Sequence, residues 1–244
     1  MIDKLEESGA DVVHLSPANH FPTGIVMPVT RRLELFEWVN RIRKRYIIED
    51  DYDSEFRYTG RFILPLYAQD TQSRVIYMNT FSKSLVPSLR ISYMVLPPGL
   101  MEKFRRELGF YGCTVPSFEQ YTLARFLSRG HFEKHINRMR RFYQHRRNQV
   151  IQALSACAAA DKLTIWEQDA GLHFLLHVDT AWSDARLTAW LHGLGIRVQP
   201  LSAFYHDRTP GDLHDLVVNY SGITDEQLTQ ALDRLNEACR ENLD

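Results

Sequence analysis

Arg74-Val-Ile-Tyr-Met-Asn-Thr-Phe-Ser-Lys-Ser-Leu-Val-Pro-Ser-Leu-Arg-Ile-Ser-Tyr-Met-Val-Leu-Pro97 is the stretch whose reading decides the fold. Its first apolar run, residues 74 to 81, predicts a buried strand. Ser82-Lys83-Ser84 predicts a hydroxyl-rich turn, and the run opened by Arg90 a second strand. A lysine among hydroxyls at the exit of an apolar strand can be partly desolvated. That favours the neutral amine, the form that attacks a carbonyl to make a Schiff base. Taken alone, the same tripeptide is far more often a solvated turn, so Lys83 has to be weighed against the residues around it.

Upstream, Tyr46-Ile-Ile-Glu-Asp-Asp-Tyr52 is an apolar strand that runs directly into carboxylates. The two-residue period places Ile48, Asp50 and Tyr52 on one side and Glu49 and Asp51 on the other. In an open α/β sheet the carboxyl end of a strand borders the ligand crevice, so Asp50 and Tyr52 can address one small molecule there. Before this strand, Asp11 to Ser16 reads as another strand, followed by a proline-bracketed loop closed by Pro22-Thr23-Gly24. From Pro28 the spacing becomes helical, with Leu33, Phe36, Val39 and Ile42 on one face and Arg31, Arg32, Arg41 and Arg43 in water.

The order strand, helix, strand, strand, strand predicts part of a mostly parallel sheet. Beyond Pro98 the chain is mainly helical: Leu100 to Leu108, then Ser117 to about Ala160 with a break near Gly130. The remainder predicts an α+β unit, with strands at Leu163 to Glu167, Gly171 to Val178, Ile196 to Pro200 and Leu216 to Tyr220. Helices fall near 183 to 194 and 224 to 241. Thr224 and Gln227 form a capping-box signature for the last helix. These readings give an α/β chain of two domains, a larger one over 1–145 and a smaller one over 146–244, divided inside the long helical region.

The 244 residues are 44% hydrophobic, enough for a substantial core. Twenty-nine basic and 30 acidic side chains leave a formal charge of -1, which gives no global field toward nucleic acid or an anionic membrane. The basic run Arg138 to Arg147 carries Met139, Phe142 and Tyr143 at helical spacing, so it reads as a solvated helix face rather than a nucleic-acid contact. Three cysteines, Cys113, Cys157 and Cys239, lie far apart and fit a reducing cytosol. The ten histidines show no metal-ligand spacing, and no metal is expected. No apolar run approaches the length of a membrane span.

Arg90, seven residues beyond Lys83, has a fork of donors suited to phosphate or carboxylate, and Thr80 and Ser82 add hydroxyls. Together the segments offer an amine for a Schiff base, a carboxylate for a protonated ring nitrogen, a phenol for a ring oxygen, and hydroxyls plus arginine for a phosphate. That set matches pyridoxal 5'-phosphate, whose protonated ring makes it an electron sink.

Pro22-Thr23-Gly24, Asp50-Asp51-Tyr52 and Thr80-Phe81-Ser82-Lys83 with Leu89-Arg90 resemble, in order and spacing, the signatures of fold-type I, class I/II aminotransferases. The fuller forms, Ser16 to Gly24, Ile48 to Tyr58 and Thr80 to Arg90, resemble more closely the MocR subgroup of GntR-type transcriptional regulators. Members of that subgroup join a winged helix-turn-helix to an aminotransferase-like domain. The resemblance implies that Lys83 holds the cofactor covalently, Asp50 pairs with the pyridine nitrogen and Tyr52 meets the phenolic oxygen. It assigns Thr80, Ser82 and Arg90 to the phosphate. It also implies a cytoplasmic homodimer answering to an amine, an amino acid or a cofactor vitamer. The fragment would lack the DNA-binding domain and the first part of the large domain, and would not itself bind nucleic acid.

Two departures stand out. Phe21 occupies the place of the asparagine that precedes Pro-Thr-Gly in typical aminotransferases, and Val217 the place of their substrate-carboxylate arginine. The sequence therefore leaves three readings: a ligand-sensing regulator domain, a working class I/II aminotransferase, and a truncated domain without bound cofactor. Val217 weighs against ordinary turnover.

Overall fold

The computed structural model describes every residue except 61–62, 167–168, 207–210 and 243–244, and describes no side chains from 239 to 242. The chain divides into two compact units. Unit 1 comprises 1–20, 25–55 and 61–139, and unit 2 comprises 21–24, 56–60 and 140–244. The division falls between Met139 and Arg140, inside one long helix, and two short segments of the first sixty residues belong to unit 2.

Unit 1 is built on a four-stranded sheet of β1 (Val12–Leu15), β2 (Tyr46–Asp50), β3 (Val75–Thr80) and β4 (Ser92–Val95), in that spatial order. The first two pairings are parallel and the last is antiparallel. Helix α1 (Ile2–Ser8) precedes the sheet, and α2 (Val29–Arg41) crosses between β1 and β2. Leu35, Trp38 and Val39 of α2 are fully buried against Ile47 and Val75 of the sheet, with Leu66 of α3 (Leu66–Gln69). Glu49 projects into the same layer, 1% exposed, and accepts the backbone N–H groups of Leu66 and Tyr67, both at 2.8 Å. Those donors are unsatisfied within α3 itself, so the buried carboxylate caps the helix and burial raises its pKa.

The packing face of α2 differs from the sequence reading. Leu33 is 59% exposed, whereas Arg32, expected in water, is 3% exposed and turned inward. Arg90 differs too: it sits at φ +52 after the 3-10 turn Pro87–Leu89 and precedes β4 rather than opening it. Helices α5 (Pro98–Leu108), α6 (Ser117–Ser128) and the first part of α7 (His131–Ser155) complete unit 1.

Unit 2 holds an antiparallel sheet in the order β5 (Leu163–Trp166), β6 (His173–Val178), β8 (Asp215–Asn219), β7 (Gln199–Pro200). Its core gathers Val150 and Leu154 of α7, Phe174 and Leu176, Leu187 and Leu191 of α8 (Asp184–Gly193), Leu216 and Tyr220. Helix α9 (Asp225–Asn242) starts at the expected capping box: Thr224 N–H donates to Gln227 Oε1 at 3.0 Å and Gln227 N–H to Thr224 Oγ1 at 3.2 Å. Strand β7 is shorter than the reading from Ile196. Glu167, the expected end of β5, lies outside the described residues. Among the described residues no helix is long and apolar enough to cross a membrane.

Candidate functional site

The predicted residues of unit 1 collect at the carboxyl ends of its parallel strands, where the loops leave the sheet. Asp50, the last residue of β2, lies opposite Met78 of β3; Thr80 follows Met78 by two positions and therefore shares its face. On the neighbouring β1, His14 reaches Asp50 with Nε2 3.3 Å from Oδ2. An imidazole N–H placed there donates to the carboxylate and orients it.

Lys83 stands on the single turn α4 (Phe81–Ser84) directly after β3. Thr80 caps this turn, its Oγ1 accepting the Ser82 N–H at 3.2 Å. Below it, Phe81 packs edge-on against Phe132 with ring centres 5.9 Å apart, and the buried Ser84 offers its carbonyl to His135 Nε2 at 3.0 Å. The turn is thus pinned through Phe81 and Ser84 while Lys83 and Arg90 stay exposed. Among the described residues neither cation makes a hydrogen bond or an ion pair. The expectation of a partly desolvated lysine is replaced by an exposed amine on a rigid turn.

Tyr52 lies just past β2. Its hydroxyl donates to the Asn19 carbonyl at 3.1 Å, and burial, with the nearby Asp53 and Asp50 carboxylates, raises its pKa so that the phenol stays neutral. Asn19, 2% exposed, donates from Nδ2 to Asp53 Oδ2 at 2.8 Å, while its own Oδ1 is buried without a partner. Asp53 is buried as well, and that burial pushes its pKa to about 8.

His14, Asn19 and Asp53 were not singled out as site residues in the sequence. Asp53 followed the strand end in an acidic turn, and Asn19 lay in a loop whose path no periodicity reports. The parallel register of β1 on β2 was the one signal that placed His14 beside Asp50. Phe21, at the departure from the aminotransferase pattern, belongs to unit 2 and packs its ring edge-on against His173 and Phe204 at 5.2 and 5.4 Å.

Asp53 gives a pH test of this cluster. A carboxyl group whose folded pKa lies above its ordinary value stabilises the fold when protonated, and that stability is lost as pH rises. The loss should run from the ordinary value of 3.8 up through about 8. Asp53→Asn keeps the neutral shape. Its unfolding midpoint should fall less than wild type's over that range, and parallel pH profiles would remove the assignment.

The residues fit pyridoxal phosphate by their donor set: two hydroxyls and an unpaired guanidinium for a phosphate, a held carboxylate for a ring nitrogen, and an exposed lysine on a fixed turn. This mixed sheet, with the lysine turn between its parallel strands and its antiparallel one, is that of the fold-type I aminotransferases. The chain superimposes on the crystal structure of Pyrococcus horikoshii kynurenine aminotransferase with a TM-score of 0.83 and 27% identity, covering 100% of this chain and 60% of that one.

It belongs to the family of class I and II aminotransferases, whose sequence profile matches residues 1–235. It is also 36% identical over 239 residues to the uncharacterized HTH-type transcriptional regulator YdeL of Bacillus subtilis, covering 98% of this chain and 51% of that protein. With the probable rhizopine catabolism regulatory protein MocR of Rhizobium meliloti it shares 35% identity, covering 93% of this chain and 45% of MocR. The chain is thus an aminotransferase-like domain homologous to MocR/GntR-type regulators, and it spans about half the length of these curated relatives.

Proposed function

We propose that this chain is the pyridoxal-phosphate-binding effector domain of a MocR/GntR-type transcriptional regulator, which senses a small amine, amino acid or cofactor vitamer. The observation that carries the reading is Lys83, unpaired on a pinned turn, three residues beyond a hydroxyl that shares a sheet face with Asp50.

When bound, pyridoxal phosphate supplies an aldehyde that captures primary amines and a ring that withdraws electrons. Thr80, Ser82 and Arg90 would hold the phosphate, the guanidinium by charge-assisted hydrogen bonds. Asp50, steadied by His14, would keep a proton on the ring nitrogen. Tyr52, whose neutral hydroxyl donates here to the Asn19 carbonyl, would turn that proton to the ring oxygen. Lys83 would supply the amine that holds the cofactor. Binding without turnover agrees with Val217, which sits in an apolar cluster with Leu175 and Leu201 where aminotransferases place a carboxylate-binding arginine. In the whole regulator this domain would act in the cytoplasm as a homodimer.

The test is chemical. Protein mixed with pyridoxal phosphate, reduced with borohydride and mapped by peptide mass should carry the pyridoxyl group on Lys83. A label spread over other lysines, or absent, would overturn the assignment, and steady amino-group transfer to a keto acid would replace sensing by catalysis.

A further inference from the structure

Unit 2 holds a cavity of about 1150 Å³ that no residue of the lysine site lines, and every residue around it belongs to that unit. Its floor is one face of the antiparallel sheet. Leu176 of β6 and Leu216 of β8 are paired there, both buried. Helix α9 forms the opposite wall. Leu228, Ala231 and Leu235 follow one another at three and four residues, so they share one side of that helix. Leu228 and Leu235 pack against the core, whereas Ala231 between them brings a single methyl group to the cavity.

The connection from α8 to β7 forms the rim. Arg234 of α9 reaches across to it, Nη1 donating to the Leu194 carbonyl at 2.9 Å. Beside that contact Gly195 has φ +78, and a Cβ there would stand 2.5 Å from the same nitrogen. A side chain at this position would displace the guanidinium. The connection is also pinned by His192, whose Nε2 lies 3.1 Å from the Val198 carbonyl oxygen. His192, Arg197 and Arg234 all line the cavity, and among the described residues no acidic side chain does. Among those residues neither arginine makes an ion pair.

A space of this size with apolar walls and a few polar groups suits a small organic molecule. Water in it leaves the leucine walls hydrated, and an alkyl chain would release that water. The charge at the rim selects the other end of the ligand. A guanidinium without a counter-ion favours an anion, and a carboxylate fits its planar fork, whereas an ammonium would meet like charge.

We propose that this cavity binds a free medium-chain aliphatic carboxylate, with its chain between α9 and the sheet and its head group on Arg234. Binding there needs no cofactor, so it stands or falls apart from the function proposed above.

Calorimetric titration of the cofactor-free chain tests the site. Octanoate should bind saturably, one per chain, and about tenfold or more tighter than hexanoate, since each buried methylene adds about fourfold. Octylammonium, the same chain with the opposite charge, should give no saturable binding. Arg234→Gln should weaken octanoate about tenfold, the size of one charge-assisted bond, and leave 1-octanol unchanged. Ala231→Phe fills the space from the helix side and should abolish binding of both.

Absence of saturable octanoate binding would overturn the site, as would equal affinities for octanoate and octylammonium or for octanoate and hexanoate. Octanoate binding that persists unchanged in Ala231→Phe would place the ligand elsewhere, and an unchanged affinity in Arg234→Gln would remove the head-group contact. If Arg234→Gln does not fold, the comparison of octanoate with octylammonium in wild type decides the role of charge, and Ala231→Phe decides the place.

Discussion

Mixed with pyridoxal phosphate, the Lys83→Ala protein is expected to show no visible absorption of lysine-bound cofactor at any concentration tested, and borohydride should leave it unlabelled. The effect is all-or-none because the substitution removes the attacking atom, whereas the hydroxyls and Arg90 remain. Lys83→Arg keeps the charge and lacks the nucleophile, so it should behave like Lys83→Ala. Neither variant should move the unfolding midpoint by more than about 0.5 kcal/mol equivalent, since Lys83 is exposed and, among the described residues, makes no hydrogen bond or ion pair. Arg90→Ala is expected to retain the band but to need roughly 10- to 100-fold more cofactor, the loss of one charge-assisted contact to phosphate. A Lys83→Ala protein that still gave the band would move the covalent site to another lysine. Loss of the band together with loss of folding would make Lys83 structural, against its exposure.

The strands and most helices were legible because apolar periodicity reports one-dimensional order, and Asp50 with Lys83 fell at strand ends that such order defines. What escaped were contacts made by loops and by the wrong face of a helix. Arg32 is the clearest case. A charged residue beside Arg31 reads as solvated, because no periodicity signals that three carbonyls from distant turns converge on it. His14 was legible as a strand residue but not as a partner of Asp50, since the parallel register that joins them is a tertiary fact. Asn19 sits in a loop between prolines, where the sequence marks a turn and says nothing of its path. Tyr52 kept its expected proximity to the strand end, although its hydroxyl is fixed by the Asn19 backbone rather than by strand alternation.

Arg32→Ala is expected to destabilise the fold by about 3 kcal/mol or more, the cost of breaking a buried, fully bonded cation site. Its Nε donates to the Met27 carbonyl at 3.2 Å, Nη1 to Leu64 at 2.8 Å and Nη2 to Pro17 at 3.3 Å. Alanine leaves those three acceptors without their donor and opens space in the core. It also removes the positive charge that interacts with the buried Glu49 and Asp51 carboxylates. Burial lowers the Arg32 pKa, yet guanidinium remains charged at neutral pH, so its removal unbalances that pair. Arg32→Lys should recover little, because one ammonium cannot reach three directions that a planar fork spans. Arg31→Ala is the control: among the described residues its guanidinium is paired with Glu34 on the solvent side, and the loss should stay below about 1 kcal/mol. Urea unfolding of the three variants measures the difference, and equal midpoints for Arg31→Ala and Arg32→Ala would show that the buried contacts contribute nothing. The consequence reaches the site. Arg32 fixes the backbone at Pro17, two residues before Asn19, so loosening it should weaken cofactor retention even under conditions where the variant is folded, leaving Lys83 chemically intact but Tyr52 without its fixed partner.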